Sequence, residues 1–318
     1  MQKTDEKGRV VGQERGEYQV LVGEQVYPGA VSGRFHHEAL RESDYPCVGD
    51  WVELSLEGGR AVIASVEERK SLFLRRQAGS ENREQAVASN VDTVLICTSL
   101  NGDLNLRRLE RYLAAVWNSG ARPVIVLTKG DLCAQAEAER ERVSAAAPGV
   151  TVVVTSPERG AGELAPYLGA GQTVAFVGSS GVGKSTLINR LLGEDRQSTG
   201  GLRDDDRGRH TTTRRSLFAL PGGCFVIDTP GMRELGLWDA SEGLSRAFAD
   251  LEELSAGCRF RDCTHQNEPG CAVRAAVERG ELDPARLRSY QKLLRENDRA
   301  AKEKKFREIS RINKKAKR

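Results

Sequence analysis

No run of apolar residues in this 318-residue chain approaches the length needed to cross a bilayer. Its first residues, Met1-Gln2-Lys3-Thr4-Asp5-Glu6-Lys7, are charged and lack the apolar stretch of a secretion signal. These two absences predict a cytoplasmic chain with no membrane partner. Without export, the seven cysteines are expected as reduced thiols or metal ligands rather than disulfides. Net charge is scarce as well, only +3, but it is unevenly spread. Residues 301–318 hold nine basic and two acidic side chains, a net +7, which leaves −4 on residues 1–300. A cationic end on a mildly acidic body points to a polyanionic partner, nucleic acid above all, although a solvated terminal helix has the same composition.

What is present is enough for packed cores. Hydrophobic residues make up 39% of the chain, and the length allows two or three domains. The stretch that organises the rest is Gly178-Ser179-Ser180-Gly181-Val182-Gly183-Lys184-Ser185-Thr186, which fits the phosphate-binding pattern of Gly, four residues, then Gly-Lys-Ser. It follows the apolar run Thr173-Val174-Ala175-Phe176-Val177, read as a buried strand, and precedes Leu187, Ile188, Leu191 and Leu192 at helical spacing. Glycines without Cβ let successive amides converge on an anion at a helix N-terminus. Lys184 would reach the β- and γ-phosphates, and the Ser185 hydroxyl would coordinate magnesium.

Residues 1–72 alternate short β-branched runs with glycine-rich turns: Gly8–Gly12, Tyr18–Val22, Gly49–Leu54 and Ala61–Val66. That spacing predicts a five-stranded barrel of the oligonucleotide-binding (OB) type. Arg34, His36, His37, Arg41, Arg75 and Arg76 could serve phosphates on it, with the two histidines read as surface residues rather than metal ligands. Residues 73–90 are polar and read as a linker. Residues 91–235 then alternate strands and helices, as in a mostly parallel α/β sheet.

Thr128-Lys129-Gly130-Asp131 ends one of those strands and resembles the guanine-specificity element of GTPases. The Asp131 carboxylate can accept from both N1–H and the 2-amino group of guanine, a pair of donors adenine lacks. The next strand ends in Thr155-Ser156, where Ser156 resembles the loop whose backbone contacts the base; Pro157 follows where many GTPases have alanine. Gly208-Arg209-His210-Thr211-Thr212-Thr213 lies in a polar stretch suited to a first switch, and Asp228-Thr229-Pro230-Gly231 resembles the Asp-x-x-Gly of a second. Asp228 would hold magnesium through water, and the Gly231 amide would face the γ-phosphate. The base element precedes the phosphate loop, the reverse of the ordinary order, as a circular permutation would leave it.

Past the core, Cys258, Cys263, His265 and Cys271 are spaced Cys-x4-Cys-x-His-x5-Cys. Three thiolates and an imidazole suit tetrahedral zinc, and four protein ligands leave no open position, so a structural site is expected. Cys47, Cys97, Cys133 and Cys224 read as packing residues. Asp283-Pro284 predicts a helix start, and the basic end, with Phe306, Ile309 and Ile312, an amphipathic helix that orders on its partner.

On these residues, and on Gly49-Asp50-Trp51-Val52 and Cys258-Arg259-Phe260-Arg261-Asp262-Cys263, the chain resembles the ribosome small-subunit-dependent GTPases, the RsgA family. The resemblance implies an OB-type barrel, a circularly permuted P-loop GTPase domain and a helical zinc-binding domain over residues 236–318. It also implies an assembly factor that acts late on the small ribosomal subunit and its rRNA, hydrolyses GTP when stimulated there, and leaves; a monomer is expected. It carries Lys184 to the phosphates, Ser185 and Thr212 to magnesium, Lys129 and Asp131 to guanine, and suggests His210 as the catalytic group. Met232 stands where Ras-like enzymes position water with glutamine, and a thioether is only a weak acceptor. The alternatives are a P-loop ATPase or kinase, a permuted GTPase with another partner, and an RNA-binding zinc protein with a merely structural nucleotide site.

Overall fold

The computed structural model describes residues 6–14, 16–76, 84–156, 162–193, 215–228 and 240–315, without the side chains of Arg75, Arg76, Arg215, Asp228 and residues 303–315. It divides into two compact units: Met1–Leu104 with Ser119–Arg142 and Val150–Leu235, and Asn105–Asn118 with Val143–Gly149 and Gly236–Arg318.

In the first unit, β1 (Glu6–Glu14), β2 (Glu17–Val22), β3 (Gln25–Val31), β4 (Trp51–Glu57) and β5 (Arg60–Val66) pair in the order β1-β2-β3-β5-β4, and β4 returns to β1. The result is the expected closed five-stranded barrel. Alternation turns Val10, Val20, Val52, Leu54 and Ile63 inward, all at most 1% exposed, and fully burying each stabilises by about 1.5–3 kcal/mol. β3 escapes the sequence reading because Pro28 and Gly29 interrupt its run, and both are unfavourable inside a strand. A short helix, α1 (Gly33–Glu38), carries His36 and His37 on its exposed side. The Gly49-Asp50 pair is structural. A Cβ on Gly49 would sit 2.1 Å from the Ser89 carbonyl oxygen. The fully buried Asp50 carboxylate accepts Arg69 Nε and Nη2, each at 2.8 Å, and the Cys47 amide at 2.7 Å.

Where a polar linker is expected, β6 (Leu72–Arg76) and β7 (Glu84–Ser89) form a two-stranded antiparallel ribbon. Polarity misled there, because the ribbon buries only one short apolar set, Phe73, Ala86, Val87 and Ala88. Next come β8 (Thr93–Ser99), β9 (Arg122–Thr128), β10 (Thr151–Val154), β11 (Thr173–Val177) and β13 (Phe225–Asp228), parallel in the order β10-β9-β8-β11-β13, with β12 (Arg215–Ala219) antiparallel at the edge. The helix α3 (Ala136–Ala146) lies between β9 and β10 in the chain, and α4 (Lys184–Leu192) packs Leu187, Ile188 and Leu192 into the core formed by Leu95, Val124, Val126, Val174 and Phe176.

Barrel and parallel sheet are spliced into one eleven-stranded sheet, since β12 pairs antiparallel with β1 at Gly12↔Ser216 and Gln13↔Arg215. Arg9 fastens the splice. It is 3% exposed, donates to Thr173 Oγ1 at 2.6 Å, and lies 5.2 Å from the Trp51 ring and 4.7 Å from that of Phe225.

The second unit contains α2 (Leu106–Ser119, whose last residue falls in the first), α5 (Ser241–Ala247), α6 (Ala249–Ser255), α7 (Ala272–Glu278) and α8 (Pro284–Lys315). The basic end continues α8 without a break rather than forming an element of its own. No helix among the described residues is long and apolar enough to cross a membrane. An ionic network centres on Arg286, 7% exposed, which donates to both oxygens of Asp250 at 2.6 Å, to Glu110 at 3.2 Å and to the Ala146 and Ala247 carbonyls at 3.0 Å. Glu110, 2% exposed, also accepts from Arg107 and Ser289. Arg286→Met strands much of this charge, so a loss of about 3–5 kcal/mol is expected in urea unfolding, partly recovered by adding Glu110→Gln. A loss below about 1 kcal/mol would show that the network is solvated.

Candidate functional site

Because β8, β9, β10, β11 and β13 run parallel, their C-terminal ends deliver the base element, Thr155-Ser156, the phosphate loop and Asp228 to one edge of the sheet. Gly178 leaves β11 at φ +139° against Cys97, whose carbonyl oxygen a Cβ would meet at 2.1 Å; only glycine fits there. Burial pushes the Cys97 thiol up to about 12, so it stays protonated behind the loop. Gly181 and Gly183 also have positive φ, +77° and +100°, and Gly183 caps α4.

Ser179, Ser180 and Gly181 line the loop's outer edge, with Val182 buried beneath and Ser185 and Thr186 in the first turn of α4. Lys184 Nζ donates to the Gly178 and Ser179 carbonyls at 2.8 and 2.5 Å, folding its side chain over its own loop. An ammonium held there, with the amides of the α4 N-terminus around it, suits an incoming phosphate.

The base element is tied to that loop. Thr128 Oγ1 donates to the Val182 carbonyl at 2.5 Å, so the motif's first residue positions the phosphate loop from below. Lys129 is left-handed at φ +58°, and the Gly130 amide donates to the Thr155 carbonyl at 3.0 Å. A Cβ on Gly130 would meet Val154 Cγ1 at 2.7 Å. Asp131, on the 3-10 turn Gly130–Leu132, is left exposed. Ser156 is buried, and its carbonyl accepts from Arg190 of α4 at 3.3 Å. Sequence reasoning missed Arg190 and the bridging role of Thr128, because cross-loop bonds have no local signature. His210, Thr212, Gly231, Met232 and Pro157 lie outside the described residues, as does the Asp228 side chain.

In the second unit, Cys258, Cys263, His265 and Cys271 converge with all ligand atoms within 4.8 Å of one another. The Cys258 and Cys271 sulfurs are 3.9 Å apart, and His265 Nδ1 lies 3.6 and 3.4 Å from them. Zinc–sulfur bonds of about 2.3 Å in a tetrahedron separate the sulfurs by about 3.8 Å, so the donor set fits that metal. Burial opposes ionisation of Cys258, but hydrogen bonds from the Val273 and Ala272 amides together with those to Cys271 and Cys263 outweigh it and hold the thiol below its ordinary value. Cys271 caps α7, its sulfur accepting the Arg274 amide at 3.4 Å. Cys47, Cys97 and Cys224 are buried as packing residues, and Cys133 is half-buried.

A phosphate loop, a guanine-type element and a parallel sheet joined out of the usual chain order define a circularly permuted P-loop GTPase. Similarity to known proteins agrees over almost the whole chain. The RsgA GTPase family model matches residues 66–238. A protein of Lactiplantibacillus plantarum named small ribosomal subunit biogenesis GTPase RsgA 2 is 52% identical over 91% of this chain and 82% of its own length. One of Opitutus terrae, named small ribosomal subunit biogenesis GTPase RsgA, is 52% identical over 85% of this chain and 78% of its own. Among solved structures, YjeQ from Thermotoga maritima is similar at a TM-score of 0.68 and 29% identity, covering 92% of this chain and 99% of that one. YloQ, described as a circularly permuted GTPase, is similar at 0.63 and 26%, covering 93% and 96%. The chain belongs to the RsgA GTPase family, and its enzymatic activity is GTP hydrolysis.

Proposed function

We propose that this chain acts in late maturation of the small ribosomal subunit, hydrolysing GTP when the subunit stimulates it and then dissociating. The observation that carries this is 52% identity over 91% of the chain to a protein named for small ribosomal subunit biogenesis. Lys184 takes the β- and γ-phosphates, exchanging its loop carbonyls for ligand oxygens. The amides of residues 178–186 surround the phosphates, and Asp131 and Lys129 read guanine, with Ser156 beside the base. Ser185 and Thr212 would hold magnesium, with Asp228 as a further group for it, and the Gly231 amide would serve the γ-phosphate. Magnesium, when bound, neutralises charge building on the phosphate oxygens.

His210 supplies the catalytic group in this reading, because Met232 has no strong hydrogen-bonding group with which to orient water. The Cys258–Cys271 cluster holds one structural zinc. The protein works as a cytoplasmic monomer, with functional boundaries at residues 1–72, 73–90, 91–235 and 236–318.

The test is GTP hydrolysis with and without purified small subunits, with large subunits and ATP as controls. Stimulation above about tenfold by small subunits alone, near 1.4 kcal/mol of barrier, is expected. His210→Ala is expected to keep GTP affinity and lose the stimulation; weak GTP binding in that variant would give His210 a structural role instead. No stimulation of the unaltered protein, with GTP binding intact, would assign this GTPase a different partner.

A further inference from the structure

In the second unit, α8 carries Arg288, Lys292, Arg295, Arg299 and Lys302 at successive intervals of four, three, four and three residues. That spacing keeps all five within one narrow arc of the helix. All five are exposed, while Leu287, Tyr290, Leu293 and Asn297 of the opposite arc are buried. None of the five makes a salt bridge among the described residues. The acids on the same stretch, Glu296 and Asp298, fall by helical spacing to either side of the stripe. At about 1.5 Å per residue the stripe is about 21 Å long.

At Lys292 the stripe meets a second cationic feature. A cavity of about 200 Å³ opens there, lined by Arg107, Arg108 and Arg111 of α2 together with Lys292 and Ser289. The acids nearest it are already engaged: Glu110 by Arg107, Arg286 and Ser289, Asp283 by Arg107, and Glu296 by Arg111. The same pairs hold Arg107 and Arg111, so an anion arriving there meets the Lys292 ammonium beside guanidiniums already fixed in place.

We infer that the α8 stripe and the α2 arginine pocket together form a binding surface for an RNA sugar-phosphate backbone. Three observations choose this occupant. The cations lie in a straight, regular row, which suits a polymer that carries one phosphate charge per residue at regular spacing. Along the stripe itself, residues 284–302 of α8, and on α2, no large apolar side chain is exposed; Val26, Leu40, Trp51, Leu132 and Phe260 are all elsewhere. A protein partner would need such anchors at the centre of its footprint. The arginines beside the row, Arg107 and Arg111, are held by Glu110, Asp283 and Glu296, and their fixed guanidiniums offer a phosphate shared donors next to Lys292. The surface begins well before the strongly basic residues 301–318 and lies on the same continuous helix, which extends the polyanion contact inward from the chain end.

The inference rests on the small-subunit reading for the identity of the RNA, and its test separates the two. The full-length protein and the variant Arg288→Gln/Lys292→Gln/Arg299→Gln are titrated with intact small subunits and with deproteinised small-subunit rRNA over a potassium chloride series. The variant is expected to bind both about tenfold or more weakly near 0.1 M salt. Its log Kd against log salt line should be shallower by about 2 to 3, since each phosphate contact contributes about 0.7–0.9 to the slope. The charge-conserving Arg288→Lys/Arg299→Lys should keep the slope, and circular dichroism and thermal unfolding check that each variant is folded. Equal affinity and slope on rRNA for the triple variant and the unaltered protein would overturn the inference. So would a variant that loses only the intact subunit when the unaltered protein does not bind bare rRNA, because the face would then be meeting protein. If the unaltered protein binds rRNA with the expected slope yet small subunits do not stimulate its hydrolysis, the small-subunit reading fails while the RNA surface stands.

Discussion

Asp131→Asn is expected to move the nucleotide preference from guanine to xanthine, with the ratio of GTP to XTP affinity changing by about 10⁴. A carboxylate presents two acceptors, which guanine meets with the N1–H and 2-amino donors. An asparagine presents one acceptor and one donor, which xanthine meets with N1–H and its O2 carbonyl. The swing is large because the mismatched base leaves groups unpaired inside a closed contact, and each costs its desolvation. The backbone beneath the change is fixed independently of residue 131, through the Gly130 amide on the Thr155 carbonyl and Thr128 on Val182. The substitution thus alters hydrogen-bonding character without moving the turn. Competition of GTP, XTP and ATP against a fluorescent guanine nucleotide reads the effect. An unchanged preference for GTP would remove Asp131 from the base site, and a preference for ATP in the unaltered protein would return the ATPase reading.

Much of this site is written locally, and that is why it can be read from the chain. The phosphate loop needs glycine at Gly178 because the Cys97 carbonyl crosses behind it, and it needs a buried strand before it and an apolar helical face after it. The strand, the glycines and the helical face fall within twenty consecutive residues, although the carbonyl that enforces Gly178 lies far off in the chain. The cysteine cluster is likewise short in sequence, and its four residues meet in space. What escaped the sequence reading depends on distant pairings or on interrupted patterns. β3 carries a proline and a glycine, β6 and β7 alternate weakly, and β12 is recognisable only through its neighbours β13 and β1.

Arg9 makes the same point. In sequence it is a charged residue in a short β run, with nothing to mark it as buried. In the fold it joins barrel to core through Thr173, 164 residues away. The splice also puts barrel strand β1 beside β12, which itself pairs with β13, the strand ending at Asp228. The barrel is thus hydrogen-bonded to the edge of the nucleotide-binding sheet, a relation that separate readings of the barrel and the core do not reveal.

Removing the metal from the Cys258–Cys271 cluster is expected to unfold that segment outright, because its own secondary structure is too slight to persist. α6 and α7 have seven residues each, below the roughly 12–15 at which isolated helices become even marginal in water. Two of the four ligands are also built into the start of α7. Cys271 caps it by accepting the Arg274 amide, and Cys258 takes the Ala272 and Val273 amides. With the ion gone, the bonds that cross-link the four residues are lost, and the cap at the start of α7 loses its anchor with them. Structural zinc contributes about 10–16 kcal/mol of apparent binding free energy at neutral pH, so no redistribution of packing in this segment would replace it. A strong chelator should release one zinc per chain and lower the helical signal at 222 nm, while guanine nucleotide still binds at the sheet edge. Cys271→Ser should reproduce this without chelator, and Cys133→Ser, at a half-buried site outside the cluster, should retain the metal. A protein that purifies with no zinc and melts at the same temperature with or without added zinc would make the four residues an ordinary packed cluster.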